Sequence, residues 1–287
     1  MQPIKNEFKQ LIKSSKKRFY NAFELLDWDE NIPENTFWMS PELISLYGLK
    51  EWEDLNGASR HLLSKWELIN FCSINMYGEK ELVEAVVKRL YHPKFNMPSE
   101  YFHNFLDEEN KHMWIFAKFC KKYGGKIYPN NNLRFSAIKE SEAVNHFLSF
   151  ARITIFEEIG DYYNFIMMND ESLPKIVREL NRQHHLDESR HLAAGRLLLI
   201  EIYKDLEKDL SESELELISE YLKNYMKNSV EMFYNPSVYK DAGMTDVYSI
   251  RRNAVSSPYR IAKHKDILYK TLEFFISNNI IKETLLS

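Results

Sequence analysis

Residues 183–191 read "QHHLDESRH", three histidines and two carboxylates in nine positions. On a helix, His184, Glu188 and His191 are spaced i, i+4, i+7 and fall in one narrow stripe, while His185 and Asp187 point elsewhere. A related stretch, "DEENKH" at residues 107–112, sets Glu109 and His112 three apart on one face. The two are variants of one pattern: acid, Glu, any residue, base, His. They read Glu108-Glu109-Asn110-Lys111-His112 and Asp187-Glu188-Ser189-Arg190-His191. A single Glu-x-x-His is common on solvated helices. Two copies on alternate long helices match the way a four-helix bundle holds two metal ions, with a lone Glu from each remaining helix.

The surrounding sequence predicts those helices. Gly (8) and Pro (9) are scarce among 287 residues, so the elements run long. A first long helix is expected from about Ser59 to Leu90, stopped by His92-Pro93. A second runs from Pro98-Ser99 to Lys122, ended by Gly124-Gly125. After a loop containing "YPNNN", a third covers about Glu140 to Met168. "NDESLP" separates it from a fourth, about Ser172 to Lys204. "SESE" opens a fifth, to about Phe233, with shorter helices beyond; residues 1–57 read as short helices and coil. The expected fold is all-α, an antiparallel four-helix bundle with extra N- and C-terminal helices. Residues 1–287 are read as one helical domain whose metal-binding core spans about 60–204.

A dimetal site makes a demand: the first and third helices must each supply a glutamate at matching height. Glu109 lies about eleven residues into its helix, roughly 16 Å from the turn at about 1.5 Å per residue. A partner at that height before the turn falls in "MYGEKEL", where Glu79 is the candidate; Glu67 is too far away and Glu81 points off that face. On the third helix "TIFEEIGDYY" offers Glu157 and Glu158, which height alone does not separate. Mixed carboxylate and imidazole donors for two metal ions suit iron or manganese.

At this point the residues resemble the AurF-like diiron N-oxygenases, a branch of the ferritin-like diiron carboxylate proteins. The resemblance covers about residues 60–200 and rests on "GEKEL", "EENKH", "FEEI" and "HHLDESRH". The branch is distinguished by an extra histidine one turn before the last Glu-x-x-His, the place of His184, and by spacing to it the third-helix ligand falls on Glu157. The resemblance implies that Glu79, Glu109, His112, Glu157, His184, Glu188 and His191 ligate a diiron centre that activates O2 and oxidises an amine nitrogen, arylamine-type in known members. It implies as partners O2, a small-molecule substrate and an unidentified electron donor.

Other residues carry two readings each. Asp187 and Glu108 could orient a histidine on another helix or face solvent as helix charge; Lys111 and Arg190 are expected to be solvated. Gly160, Ala194 and Gly195 could make room for substrate or for close helix packing. Phe105, Phe116 and Phe150 could wall a pocket or fill the core. Tyr77, Tyr162 and Cys72 are assigned no chemistry. A net charge of −4 with mixed signs argues against nucleic-acid binding, and no run of about eighteen apolar residues or signal-peptide h-region points to a membrane. Two cysteines form no disulfide framework. A cytoplasmic protein, possibly homodimeric, is expected. Competing functions are a diiron hydroxylase or desaturase, manganese-dependent peroxide disproportionation, ferritin-like iron storage and a helical interaction protein.

Overall fold

The long helices begin where the sequence supplies caps. In the computed structural model, which describes residues 2–95, 98–130 and 141–282, no strand occurs among the described residues. The elements are α1 Gln2–Lys17, α2 Lys50–Glu53, α3 Gly57–Val87, α4 Ser99–Phe119, α5 Glu142–Asn169, α6 Lys175–Asp209, α7 Glu212–Glu231, α8 Pro236–Asp241, α9 Val247–Ser256, α10 Pro258–Ile267 and α11 Tyr269–Ser277. Asn56 caps α3 by accepting from Ser59 N at 2.9 Å, and Ser141 caps α5 through Val144 N. Ser211 and Glu214 form a reciprocal capping box that opens α7. The expected start of the third helix at Glu140, and Asn131 and Asn132 of the expected loop, lie outside the described residues.

Three boundaries differ from expectation for local reasons. The helix expected from Ser172 starts at Lys175, because Asp170 Oδ1 accepts from Ser172 N (3.0 Å) in a turn before Pro174. It also continues past Lys204 to Asp209. The α4 helix passes at Cys120–Gly124 into a π-helical turn, closed by Gly125 at φ 67. At the other end of the chain, α1 is a sixteen-residue helix, not a short one. Phe8, Leu11, Ile12 and Ser15 form an i, i+3, i+4, i+7 stripe that packs on α4 and α6, with Phe8 buried.

Hairpins α3–α4 and α5–α6 pack against each other through α3–α5 and α4–α6, so the four long helices enclose one interior. The C-terminal elements cover it: α7 and α11 lie on α5, and α8 lies on α3. Phe71, Phe116, Phe119 and Phe147 are at most 1 % exposed, each contributing roughly 1.5–3 kcal/mol of burial. Residues 68–75 of α3 are buried all round, so Asn70, Ser73 and Asn75 lie inside along with the apolar positions. A helix enclosed on every side must turn any polar residue toward a partner inside the protein.

Candidate metal centre

At mid-height the bundle turns seven polar side chains inward, none more than 3 % exposed. They are Glu79 of α3, Glu109 and His112 of α4, Glu157 of α5, and His184, Glu188 and His191 of α6. The structure thus brings all seven sequence-derived candidates together. They form two groups, Glu79–His112–His184–Glu188 and Glu109–Glu157–Glu188–His191, each with one donor atom per residue inside 4.8 Å. Glu188 belongs to both: Oε1 lies 3.0 Å from His184 Nε2 and Oε2 3.2 Å from His191 Nδ1. Glu109 also reaches both, with Oε2 2.9 Å from His112 Nδ1 and Oε1 2.8 Å from His191 Nδ1. Two carboxylates therefore straddle two adjacent donor groups.

The oxygens are poorly satisfied by the protein alone. Glu79 Oε2, Glu109 Oε1, both Glu157 oxygens and Glu188 Oε1 are buried without a hydrogen-bond partner. Glu109 Oε1 and Glu188 Oε1 approach His191 Nδ1 and His184 Nε2 closely but without hydrogen-bond alignment. Each such atom costs about 1–3 kcal/mol, more when charged. Cations held between these oxygens would remove that cost, so the donor set fits two metal ions.

Protonation tells the same story. Burial, then repulsion from Glu109, pushes Glu79 up to about 8. Burial followed by Glu188, Glu79 and Glu109 holds Glu157 well above the carboxylate range. For Glu188 and Glu109 burial acts upward too, but His191 leads the groups that outweigh it, and both end below their ordinary values. Burial lowers the histidines, and the carboxylates more than reverse this: His184 reaches about 9, and His112 and His191 lie well above the usual range. Protons fill a role that cations can take over.

The outward nitrogen of each ring is held. His112 Nε2 donates to Asp187 Oδ2 (3.0 Å), and His191 Nε2 donates to Glu108 Oε2 (2.8 Å), leaving both Nδ1 lone pairs inward. The acid preceding each ligand-stripe glutamate thus serves the histidine of the other helix. Of the two readings of Asp187 and Glu108, histidine orientation is the one the geometry matches. Asn164 lies 2.7 Å from His184 Nδ1 through its amide, whose Oδ1 is buried and unpartnered. Turning the amide over gives that oxygen an Nδ1–H to accept and frees the Nε2 lone pair toward Glu79 and Glu188. Asn164 went unnoticed in the sequence, although it stands seven residues past Glu157 on the same stripe.

Arg190 corrects an expectation. It is 5 % exposed, not solvated, and its Nη2 donates to Glu108 Oε1 (2.6 Å) and to Asp187. Two buried carboxylates need a buried cation between them. Lys111, also expected in solvent, is partly buried and pairs with Asp107 (2.6 Å). Tyr20 and Gln183 donate to Asp187 Oδ2 at 3.1 and 3.0 Å. Glu158 turns away from the centre to Arg196, which distinguishes it from Glu157.

The small residues serve close packing. A Cβ on Gly160 would lie 3.1 Å from Asn75 Oδ1, and one on Gly195 2.7 Å from Thr154 Oγ1. Phe105 and Phe116 stand over His191 and His184, ring centroids 4.5 and 4.9 Å apart, whereas Phe150 stacks on Phe102 in the core. Tyr162 donates outward to Asp266. A cavity of about 280 Å³ opens between α3, α5 and α7, lined by Tyr77, Gly78, Leu82, Arg152, Ile153, Phe156 and Met232. Gly78 and Phe156 adjoin Glu79 and Glu157, and the Phe156 ring lies where a Gly78 Cβ would be, 2.1 Å from Cζ.

His92, Glu142 and His146 form a third group. There Lys94 N donates to His92 Nδ1 (3.2 Å) and Arg89 Nε to His146 Nδ1 (3.1 Å). A ring whose Nδ1 accepts carries its proton on Nε2, here facing Glu142, and offers no lone pair to a metal.

A family model described as p-aminobenzoate N-oxygenase AurF matches residues 4–277. The chain belongs to the AurF family. That description places the chain among oxidases or oxygenases, and the carboxylate–histidine groups above are able to bind metal. Similar solved structures include an R2-like ligand-binding oxidase without metal cofactor (12% identity, 96% of each chain, TM-score 0.47). Another is an R2-like ligand-binding oxidase from Sulfolobus acidocaldarius (16% identity, 97% of this chain and 92% of that one, TM-score 0.48). No curated protein matches the chain in sequence. No helix among the described residues is long and apolar enough to cross a membrane.

Proposed function

We propose that this chain is an O2-dependent diiron monooxygenase that N-oxygenates a small-molecule amine of the arylamine type. In this reading Glu79, Glu109, His112, Glu157, His184, Glu188 and His191 hold two iron ions, with manganese as the alternative. The observation that carries it is the donor set itself: four buried glutamates with unpartnered oxygens and three histidines. Among these, His184 stands where the resemblance drawn from the sequence expects the extra histidine, one turn before the last Glu-x-x-His.

Bound iron would supply the redox chemistry that activates O2. The chain's own residues do the rest. Glu109 and Glu188 would serve both donor groups, while Glu79 would serve one and Glu157 the other. Asp187 and Glu108 fix the tautomers of His112 and His191, and Arg190 pairs with both acids. Phe105 and Phe116 exclude water from the histidine side. The cavity between α3, α5 and α7 is the substrate's approach, with apolar Leu82, Ile153 and Met232 for its body. The balance is R–NH2 + O2 + 2 e− + 2 H+ → R–NHOH + H2O.

Metal analysis joined to an amine screen by mass spectrometry tests this. About two metal ions per chain and a gain of one oxygen on nitrogen are expected. Oxygen inserted on carbon would replace N-oxygenation by hydroxylation, and metal-free protein after loading would remove the oxygenase reading.

A further inference from the structure

The proposed oxygenation draws two electrons from outside the chain, so a carrier must dock within reach of the centre. On the outer side of α4, Lys111, Trp114 and Lys118 stand at i, i+3, i+7, and Lys121 and Lys122 follow in the π turn. The segment after α1 lays Phe19 and Phe23 beside them, 71% and 65% exposed. The patch is continuous. Lys111 Nζ lies 4.1 Å over Phe19 and 4.9 Å over Tyr20. Phe23 meets Trp114 edge-on at 4.6 Å, and Lys118 lies over Trp28 and Trp114 at 4.3 and 4.8 Å. Asp107 pairs with Lys111 and Asp29 lies 3.8 Å from Lys122, and Glu24, Asp27 and Glu30 stand on the same segment as Phe23 and Trp28. Lys118 and Lys121 make no ion pair among the described residues. The lysine row along this aromatic face belongs to a chain of net charge −4.

A second observation joins the patch to the centre. The half-buried Tyr20, under Lys111, donates through Oη to Asp187 Oδ2 (3.1 Å), which accepts from His112 Nε2 (3.0 Å). Two hydrogen bonds thus lead from the aromatic surface to an imidazole of the centre.

The geometry points to this face as the docking site of a small acidic electron-transfer protein, with Tyr20–Asp187–His112 as the electron entry. Exposed aromatics ringed by lysines match the anatomy of a transient interface steered by charge. The inference rests on the oxygenase reading. Each encounter oxidises the carrier, an iron–sulfur or flavin protein, by one electron. Two encounters supply the electrons that, with two protons, take one atom of O2 to water while the other enters the substrate.

The test uses the full chain and an acidic plant-type [2Fe–2S] ferredoxin as probe. Binding is measured on metal-free protein, and reduction is measured on iron-loaded protein with reduced ferredoxin or reduced methyl viologen. Affinity for ferredoxin is expected to fall roughly tenfold between about 20 and about 200 mM salt. The combined Lys118→Glu, Lys121→Glu, Lys122→Glu variant should lose about tenfold more, and Phe23→Ser, whose side chain is mostly exposed, should weaken binding without reversing charge. Tyr20→Phe should bind ferredoxin normally yet be reduced by it more slowly, with methyl viologen reduction unchanged. Unaltered binding by both surface variants, or tight binding of a DNA duplex with none of ferredoxin, overturns the docking face. An unaltered rate for Tyr20→Phe overturns the entry route. Iron that methyl viologen also fails to reduce sinks the oxygenase reading instead, and the metal-free binding arm stands apart from it.

Discussion

Asp187→Asn probes the centre without changing its shape. Asp187 is fully buried and accepts from four donors: His112, Gln183 and Tyr20 on Oδ2, and Arg190 on Oδ1. An amide keeps one oxygen. If that oxygen stays on the three-donor side, its NH2 confronts the Arg190 guanidinium, and a charged hydrogen bond worth about 1.5–3 kcal/mol is lost. In the opposite orientation the NH2 faces His112 Nε2 and forces the ring proton to Nδ1, removing a lone pair from the centre. Either way metal affinity is expected to fall about 10–100-fold, or about 1.4–2.7 kcal/mol. The loss should fall on the group containing His112. Competitive metal titration followed by denaturant unfolding with chelator measures both effects. Affinity within a factor of about two of the parent would refute the crosswise support of the histidines.

The metal-free protein should lose stability as pH rises. Glu79, at about 8 when folded, binds a proton that the unfolded chain releases near its ordinary value. Its contribution is thus complete below about 4.5 and lost on passing 8. His184, held near 9, has the same sign. Melting temperatures from pH 6 to 9 with chelator should fall, more steeply than for metal-loaded protein; a flat chelated profile contradicts the assignment. Glu157→Gln should lower metal affinity, and Glu158→Gln, which loses only Arg196, should not; equal effects in a metal titration would oppose the distinction. Gly78→Ala should cost about 1–3 kcal/mol by driving its Cβ into Phe156. In a Phe156→Ala background that cost should largely vanish, as a double-mutant cycle by denaturant unfolding would show.

The hairpins were legible because proline, glycine and caps punctuate long periodic runs. The inward convergence was legible because one helical stripe and one height requirement leave few candidates. Glu157 and Glu158 needed either the family pattern or the coordinates, since adjacent residues differ only in rotation. Arg190 was misread because a cation between two acids looks solvated until both acids are known to be inside. α1 was underestimated because five of its sixteen residues are lysine and its buried stripe holds only three apolar side chains, Phe8, Leu11 and Ile12. Asn164 was reachable from the stripe through Glu157, but amides give no metal signal.

The crosswise acids have a consequence for assembly. Glu108 grips a ring on α6, Asp187 grips one on α4, and Arg190 bolts the two acids together. Sliding one hairpin along the other by a helical turn, about 5.4 Å, would strand every member of this lock at once. Partial docking offers no halfway gain, so the two halves of the bundle should click into a single alignment before any ion arrives.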